Sequence, residues 1–196
     1  MKKPFWFLSC LIMVSVVAFP ASSQFNIMGG YSKIGSTENF QNELWSGGYY
    51  VSGLGLIQVA KGLHVGLWGA YNRWGINRSY FQEYIDFSIS GSASNIQIFP
   101  CLRYEFLKTG TFRPYIHIGA GLSIMNAKAD VSSLGYEIFS ADESRAGFGS
   151  HFGIGFRIFT SKSMSIEALA LLNLYFKEGG GTTNWFSLGI GLNFGR

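Results

Sequence analysis

The chain has 196 residues, of which only 13% are charged, 47% are hydrophobic and 17% are aromatic. A soluble domain usually carries about 25% charged residues, so the composition argues against an ordinary water-soluble domain. The formal charge of +4 includes two lysines in an N-terminal leader, and the remainder has 13 basic against 11 acidic residues. This balance is too even to indicate nucleic-acid binding.

The first residues have the pattern of a secretory signal peptide. Two lysines precede a mostly apolar core over residues 5–19, which has the length of a signal-peptide core. Small residues then occupy the −3 and −1 positions before Gln24. We therefore predict a signal peptide over 1–23 and one mature domain over 24–196. An uncleaved membrane anchor is disfavoured because the apolar core is short and ends at Pro20.

Beyond residue 24, the hydrophobic pattern predicts strands that cross a membrane. No stretch has the roughly 18 uninterrupted apolar residues of a membrane helix, and apolar residues alternate with small or polar ones, which is the period of a strand. Most segments have about the 9–11 residues that a tilted strand needs to cross a bilayer, or a few more. The eight predicted strands are 24–35, 47–59, 63–73, 94–106, 114–127, 148–160, 164–176 and 184–194.

The two faces of these strands differ in a way that indicates which face contacts lipid. In the last segment, Phe186, Leu188 and Ile190 share one face, while Ser187 and Gly189 share the other. A glycine-rich face would make a poor water-exposed surface, so a soluble lipocalin-type barrel is disfavoured. Such a face suits the narrow lumen of an eight-stranded barrel, and we expect the apolar face to contact lipid.

The connections between the segments alternate in length. The short ones are 60–62, 107–113 and 161–163, and the longer ones are 36–46, 74–93, 128–147 and 177–183. Short periplasmic turns opposite longer extracellular loops are typical of outer membrane barrels. The sequence thus predicts an all-β fold, an eight-stranded antiparallel up-and-down transmembrane β-barrel.

Several local features are harder to place. We expect an aromatic belt at the extracellular membrane interface, formed by Trp45, Trp74, Tyr175, Phe176 and Trp185. Pro100 removes a backbone donor within the fourth segment and predicts a bulge or kink. The lipid face of segment 47–59 is ambiguous, because its glycines alternate with leucines. The alternation over 84–90 favours strands that extend above the membrane over a loop that contacts a partner.

The last segment also carries a short sequence motif. Ser187, Gly189, Leu192 and Phe194 match the pattern polar, any, Gly, two of any, hydrophobic, any, aromatic. This motif resembles the C-terminal β-signal of outer membrane barrels, although two residues follow the aromatic one. Over 24–196 the chain resembles the outer membrane protein β-barrel domain family, with the small barrels of OmpX and OmpA as architectural relatives. The resemblance implies a monomer in the cell outer membrane that contacts outer membrane lipids and is inserted by the barrel assembly machinery.

The strand phase places six ionisable side chains in the periplasmic half of the lumen. They are His64, Arg103, Glu105, His117, Arg157 and Glu167. Charges inside a narrow barrel must be paired, because their desolvation is costly. We therefore expect the two arginines to pair with the two glutamates as a polar plug. The alternative is a gated ion path or a proton relay through the histidines.

The leading hypothesis is a non-enzymatic outer membrane barrel with a plugged lumen and a structural or surface-interaction role. The alternatives are a barrel enzyme that acts on lipid A or surface protein, and a narrow channel. For an enzyme, His151 is predicted near the extracellular end of its strand, apart from the cluster, where Asp142 or Ser144 could approach it. Adjacent strand residues point to opposite faces, so Ser150 cannot be its partner. No catalytic, metal or cofactor site is predicted, and Cys101 is expected to be a buried apolar residue.

Overall fold

The computed structural model describes residues 23–35, 45–77, 87–106, 111–133, 136–159, 161, 163–177 and 181–195. These residues form eight strands, each antiparallel to its neighbours, and β1 pairs with β8 to close the barrel. The strands are β1 (Ser23–Ile34), β2 (Trp45–Ala60), β3 (Leu63–Ile76), β4 (Phe87–Glu105), β5 (Phe112–Ser133), β6 (Tyr136–Phe159), β7 (Met164–Phe176) and β8 (Thr182–Gly195).

The predicted eight-stranded up-and-down barrel is confirmed. Strand β1 begins one residue before the predicted cleavage point, and the rest of the predicted signal peptide lies outside the described residues. Among the residues described, no helix is long and apolar enough to cross a membrane.

Successive residues of each strand alternate between the lumen and the outer surface. The outer face carries large apolar side chains, and Ile190, on β8, is 68% exposed. Strand β2, whose phase was ambiguous, turns Tyr50, Leu54 and Leu56 into the lumen and Val51 to the outside. Toward the middle of the barrel, β2 therefore turns large side chains inward, whereas β8 turns Ser187 and Gly189 inward. This inequality lets Tyr50 occupy the space above Gly189.

The strands differ in length, and the three longest rise above the others. Above the pair Gly75 and Ser92, β4 has no β3 partner, and above the pair Phe148 and Phe176, β6 has no β7 partner. We call residues 87–92 of β4, 126–133 of β5 and 136–147 of β6 the projecting sheet.

The extension above the membrane that the alternation over 84–90 predicted is confirmed for β4, which begins at Phe87. The predicted loop over 128–147 is wrong, because β5 and β6 extend through most of it. No glycine or proline marks a turn within residues 128–134 of this hairpin. Its charged side chains pair across the two strands. The Lys128 Nζ lies 2.5 Å from the Asp142 carboxylate, and the Ser140 hydroxyl donates to Asp130 at 2.7 Å. Opposite charges directly across from each other modestly stabilise the pairing of the two strands. Residues 84–86 of the alternating segment lie outside the described residues.

A bulge or kink was predicted at Pro100, and the structure shows no bulge there. Ile98 pairs with Leu122 and Cys101 pairs with Gly119, which is the same register on both sides of the proline. The pairs in between are missing from the β4–β5 ladder, whereas Pro100 remains opposite Leu67 on β3. The missing donor therefore costs local pairing and inserts no extra residue.

Candidate functional site: the barrel lumen

The periplasmic half of the lumen contains a buried carboxylate that four donors surround. Arg103 donates from Nη1 to Glu167 Oε1 at 2.7 Å and from Nη2 to Oε2 at 3.2 Å. Asn26 Nδ2 donates to Oε2 at 2.7 Å, and the Tyr115 hydroxyl does so at 3.3 Å. The Arg103 guanidinium also lies 4.0 Å from the centre of the Tyr115 ring. The bidentate geometry fixes the arginine against the glutamate.

A second ion pair lies closer to the periplasmic opening. Arg157 donates from Nη2 to Glu105 Oε1 and from Nη1 to Gln24 Oε1, the latter at 2.6 Å. Arg113, which is partly exposed, adds a weaker contact of 3.7 Å to Glu105. The other end of the Gln24 amide lies 3.3 Å from His64 Nε2. Both glutamates of this half of the lumen thus face arginines.

Five of the six predicted lumen residues take part in these two groups, and His117 does not. The partners that the prediction missed are Gln24, Asn26, Tyr115 and Asn193. All of them are buried on the lumen face, so extending the strand phase to uncharged residues would have found them. The prediction considered only ionisable side chains, whereas a buried charge also needs neutral hydrogen-bond partners.

The middle of the lumen is filled by rings. His117 stacks on His151 with 4.7 Å between ring centres, and Trp68 lies 5.3 Å from each histidine ring. Phe99 lies 5.3 Å from His151. Neither histidine makes a hydrogen bond through its ring nitrogens to any described residue. Together these four side chains, Trp68, Phe99, His117 and His151, form what we call the aromatic layer.

The predicted position of His151, apart from the other lumen residues, is wrong. Strand β6 begins at Tyr136 instead of residue 148, so His151 lies in the middle of its strand. The absent side chain of Gly119, its cross-strand neighbour, leaves room for the ring: a Cβ there would lie 2.7 Å from His151 Nε2. Asp142 and Ser144 are exposed on the projecting sheet and do not approach the histidine.

Three of the five residues predicted for the extracellular aromatic belt lie inside the barrel. Trp74 and Trp185 are buried and meet edge to face at 5.6 Å, and Tyr175 is buried beside them. Trp74 Nε1 donates to the Ser32 hydroxyl at 3.2 Å. The phase of β3 and β8 turns these rings inward, so proximity to a strand end was misleading. Of the remaining two, Phe176 is exposed and Trp45 is partly buried.

These layers limit what the lumen can do chemically. Cys101 is buried in an otherwise apolar cluster, and its Cβ would lie 3.2 Å from a Cβ added at Gly119. Within the part of the chain that the structure describes, no three His, Cys, Asp or Glu side chains are placed to hold a metal ion. The charges are paired and the rings are stacked, so the arrangement supports closure of the lumen.

Comparison with known proteins agrees with this architecture. Residues 7–194 match the family described as the outer membrane protein beta-barrel domain. The chain belongs to this outer membrane β-barrel family. Its location is accordingly the bacterial outer membrane, with the short turns on the periplasmic side and the projecting sheet outside.

Two solved structures of low sequence identity, with TM-scores above 0.5, share the barrel fold. Neisserial surface protein A (NspA) is 13% identical, with a TM-score of 0.57 over 89% of this chain and 97% of that one. A major outer membrane protein of Thermus thermophilus is 11% identical, with a TM-score of 0.53 over 88% and 98%. The attachment invasion locus protein Ail of Yersinia pestis is 16% identical, with a TM-score of 0.49 over 88% and 99%. A search of the curated proteins found no match.

The residues of the predicted β-signal lie on both faces of the strand that closes this outer membrane barrel. Ser187 and Gly189 face the lumen, where the Ser187 hydroxyl hydrogen-bonds to Ser32 and Gly189 leaves room for Tyr50. Leu192 and Phe194 face outward. An outward pair of a leucine and a phenylalanine near the periplasmic end fits the lipid boundary.

Proposed function

We propose that the protein is a non-enzymatic outer membrane barrel with a closed lumen, which presents the projecting sheet for interaction at the cell surface. The supporting observation is the unpaired edge of β6. Residues 136–147 pair with β5 on one side and have no described partner strand on the other. Such an edge offers backbone donors and acceptors to an extended segment of another polypeptide.

The filled lumen supports an interaction role over conduction. A polar layer around Arg103 and Glu167, the aromatic layer, and the pair Trp74 and Trp185 succeed one another along the barrel axis. An ion would have to separate paired charges and then cross stacked rings. We further propose that the apolar outer face contacts outer membrane lipids and that the β-signal, Ser187 to Phe194, is read by the barrel assembly machinery. The barrel is proposed to act as a monomer.

Conductance in planar lipid bilayers tests the closed lumen. We expect the full-length barrel to show no steady conductance above that of the protein-free bilayer. A steady, large conductance would contradict the closed lumen and would favour the narrow channel.

Adhesion of intact cells tests the surface role. Cells that display the full-length protein are compared with cells that display a variant whose hairpin is shortened by removing residues 128–142. We expect adhesion to a host-cell layer or to sister cells to fall to the level of cells without the protein. Equal adhesion by both variants, at equal surface levels, would overturn the proposal. Lipid A from the producing cells is expected to have unchanged mass, and a changed mass would favour the enzyme.

A further inference from the structure

A small cavity opens above the ring-filled lumen, between the inner face of the projecting sheet and the opposite rim of the barrel. Its volume is about 190 Å³, and seven of the eight strands contribute to its wall. We call this cavity the vestibule. It lies on the extracellular side of the closed lumen.

Small side chains at the base of the projecting sheet create the space. Ala93 on β4 is the cross-strand neighbour of Ala127 on β5, and both line the vestibule. Methyl groups at this level leave a gap that larger rings fill below. Trp45, Met125 and Tyr175 provide the apolar and aromatic part of the wall. An apolar body of the size of one ring fits this wall.

The rim of the vestibule carries three charged side chains, of which two form an ion pair with each other. Arg145 and Glu143 line the cavity from β6 and form an ion pair with each other. Lys177 lines it from the end of β7, and none of the described carboxylates lies within 4 Å of its ammonium group. The lining therefore has one excess positive charge beside an apolar wall. A matching ligand carries one negative charge on an apolar body.

We propose that the vestibule binds a small organic carboxylate with an apolar body, whose carboxylate contacts Lys177 and whose body contacts Trp45 and Met125. Ligand pockets for drug-sized molecules have volumes of about 300–1,000 Å³. The smaller vestibule therefore selects ligands of about the size of one aromatic ring. The proposal uses neither the free edge of β6 nor any partner bound there, so it can fail or hold independently of the surface-interaction role.

Titration calorimetry with the full-length barrel in lipid nanodiscs tests this assignment, with sodium benzoate as the probe. Benzyl alcohol and benzylamine are the neutral and cationic matches, and empty nanodiscs correct for partition into lipid. The variants are Lys177→Gln, which removes the excess charge, and Ala127→Phe, which fills the space. Lys128→Gln is the matched control for the removal of charge, because Lys128 is an exposed lysine of the β5–β6 hairpin that does not line the vestibule.

We expect saturable benzoate binding that is at least about tenfold weaker in Lys177→Gln, the size of a lost charge-assisted contact. Binding is expected to be absent in Ala127→Phe and unchanged in Lys128→Gln. Circular dichroism confirms that each variant keeps the barrel. Equal binding of benzoate by Lys177→Gln and the unsubstituted protein would overturn the proposal. Benzyl alcohol or benzylamine binding as tightly as benzoate would also overturn it, as would the absence of any saturable binding.

Discussion

The periplasmic half of the lumen and the aromatic layer, which we call its aromatic half, are filled by different physical means. In the periplasmic half, Arg103 and Glu167 are both fully buried, and the carboxylate receives four hydrogen bonds. In the aromatic half, His117 is equally buried, yet its ring nitrogens have no partner among the described residues. The periplasmic half is held by directional charge pairing, and the aromatic half is filled by ring packing.

This difference determines how each half responds to substitution. A buried ion pair adds little net stability compared with an apolar replacement, but the loss of one partner leaves the other charge uncompensated. Stacked rings are stabilised by dispersion and by the burial of apolar surface. The free-energy cost of a substitution among them therefore depends on the change in side-chain volume. The polar half should therefore be sensitive to the removal of charge, and the aromatic layer to added or lost volume.

The largest effect is expected for Glu167→Gln. The substitution keeps the size of the side chain but leaves the Arg103 guanidinium buried without its counter-ion. We expect the free energy of unfolding to fall by about 3–5 kcal/mol, the typical cost of breaking a buried pair. Urea unfolding of the barrel in phospholipid vesicles, followed by tryptophan fluorescence, measures this change.

A matched control uses an ion pair of the same types outside the lumen. Glu143 pairs with Arg145 on the projecting sheet, where both side chains are more than half exposed. Glu143→Gln should change the free energy of unfolding by no more than about 1 kcal/mol. Similar effects of the two substitutions, or no effect of Glu167→Gln, would show that the polar half does not depend on its charge pairing.

The next largest effect tests the volume of the aromatic layer. A methyl group added by Gly119→Ala would lie 2.7 Å from His151 Nε2 and 3.2 Å from Cys101 Cβ. Overpacking of this kind costs about 1–3 kcal/mol. Gly53→Ala is the control, because a Cβ there meets no atom within 4 Å. Equal stability of the two variants in the same urea titration would mean that the aromatic layer has spare room.

The predictability of the two halves from sequence also differs. The period-two pattern fixes which residues face the lumen, and the cost of burying charge then requires Arg103 and Arg157 to have acidic partners. Neither step requires the distance between strands. That distance is required to identify the partner of each arginine, since Glu167 lies 64 residues from Arg103.

The buried rings near the extracellular end of the lumen were predicted wrongly. Trp74 and Trp185 were assigned to the lipid interface because they lie at strand ends, and rings carry no charge that must be matched. The predicted phase of the last strand, which turns Ser187 and Gly189 inward, also turns Trp185 inward. The length of β6 also escaped prediction, because the charged segment around Asp142 resembles a loop until its cross-strand partners are known.

The smallest effect, expected for His117→Leu, decides whether the comparison between the two halves holds. Leucine has nearly the volume of histidine, and volume-conserving exchanges in a packed interior usually cost less than about 1.5 kcal/mol. The loss of ring stacking on His151 and Trp68 is offset, because two ring nitrogens without described partners no longer need to be buried. We therefore expect His117→Leu to lower the free energy of unfolding by no more than about 1.5 kcal/mol, well below the effect of Glu167→Gln. A loss as large as that of Glu167→Gln would mean that the imidazole has a hydrogen-bond or ion partner. The aromatic layer would then be a second polar centre, and the two halves would be closed by the same means.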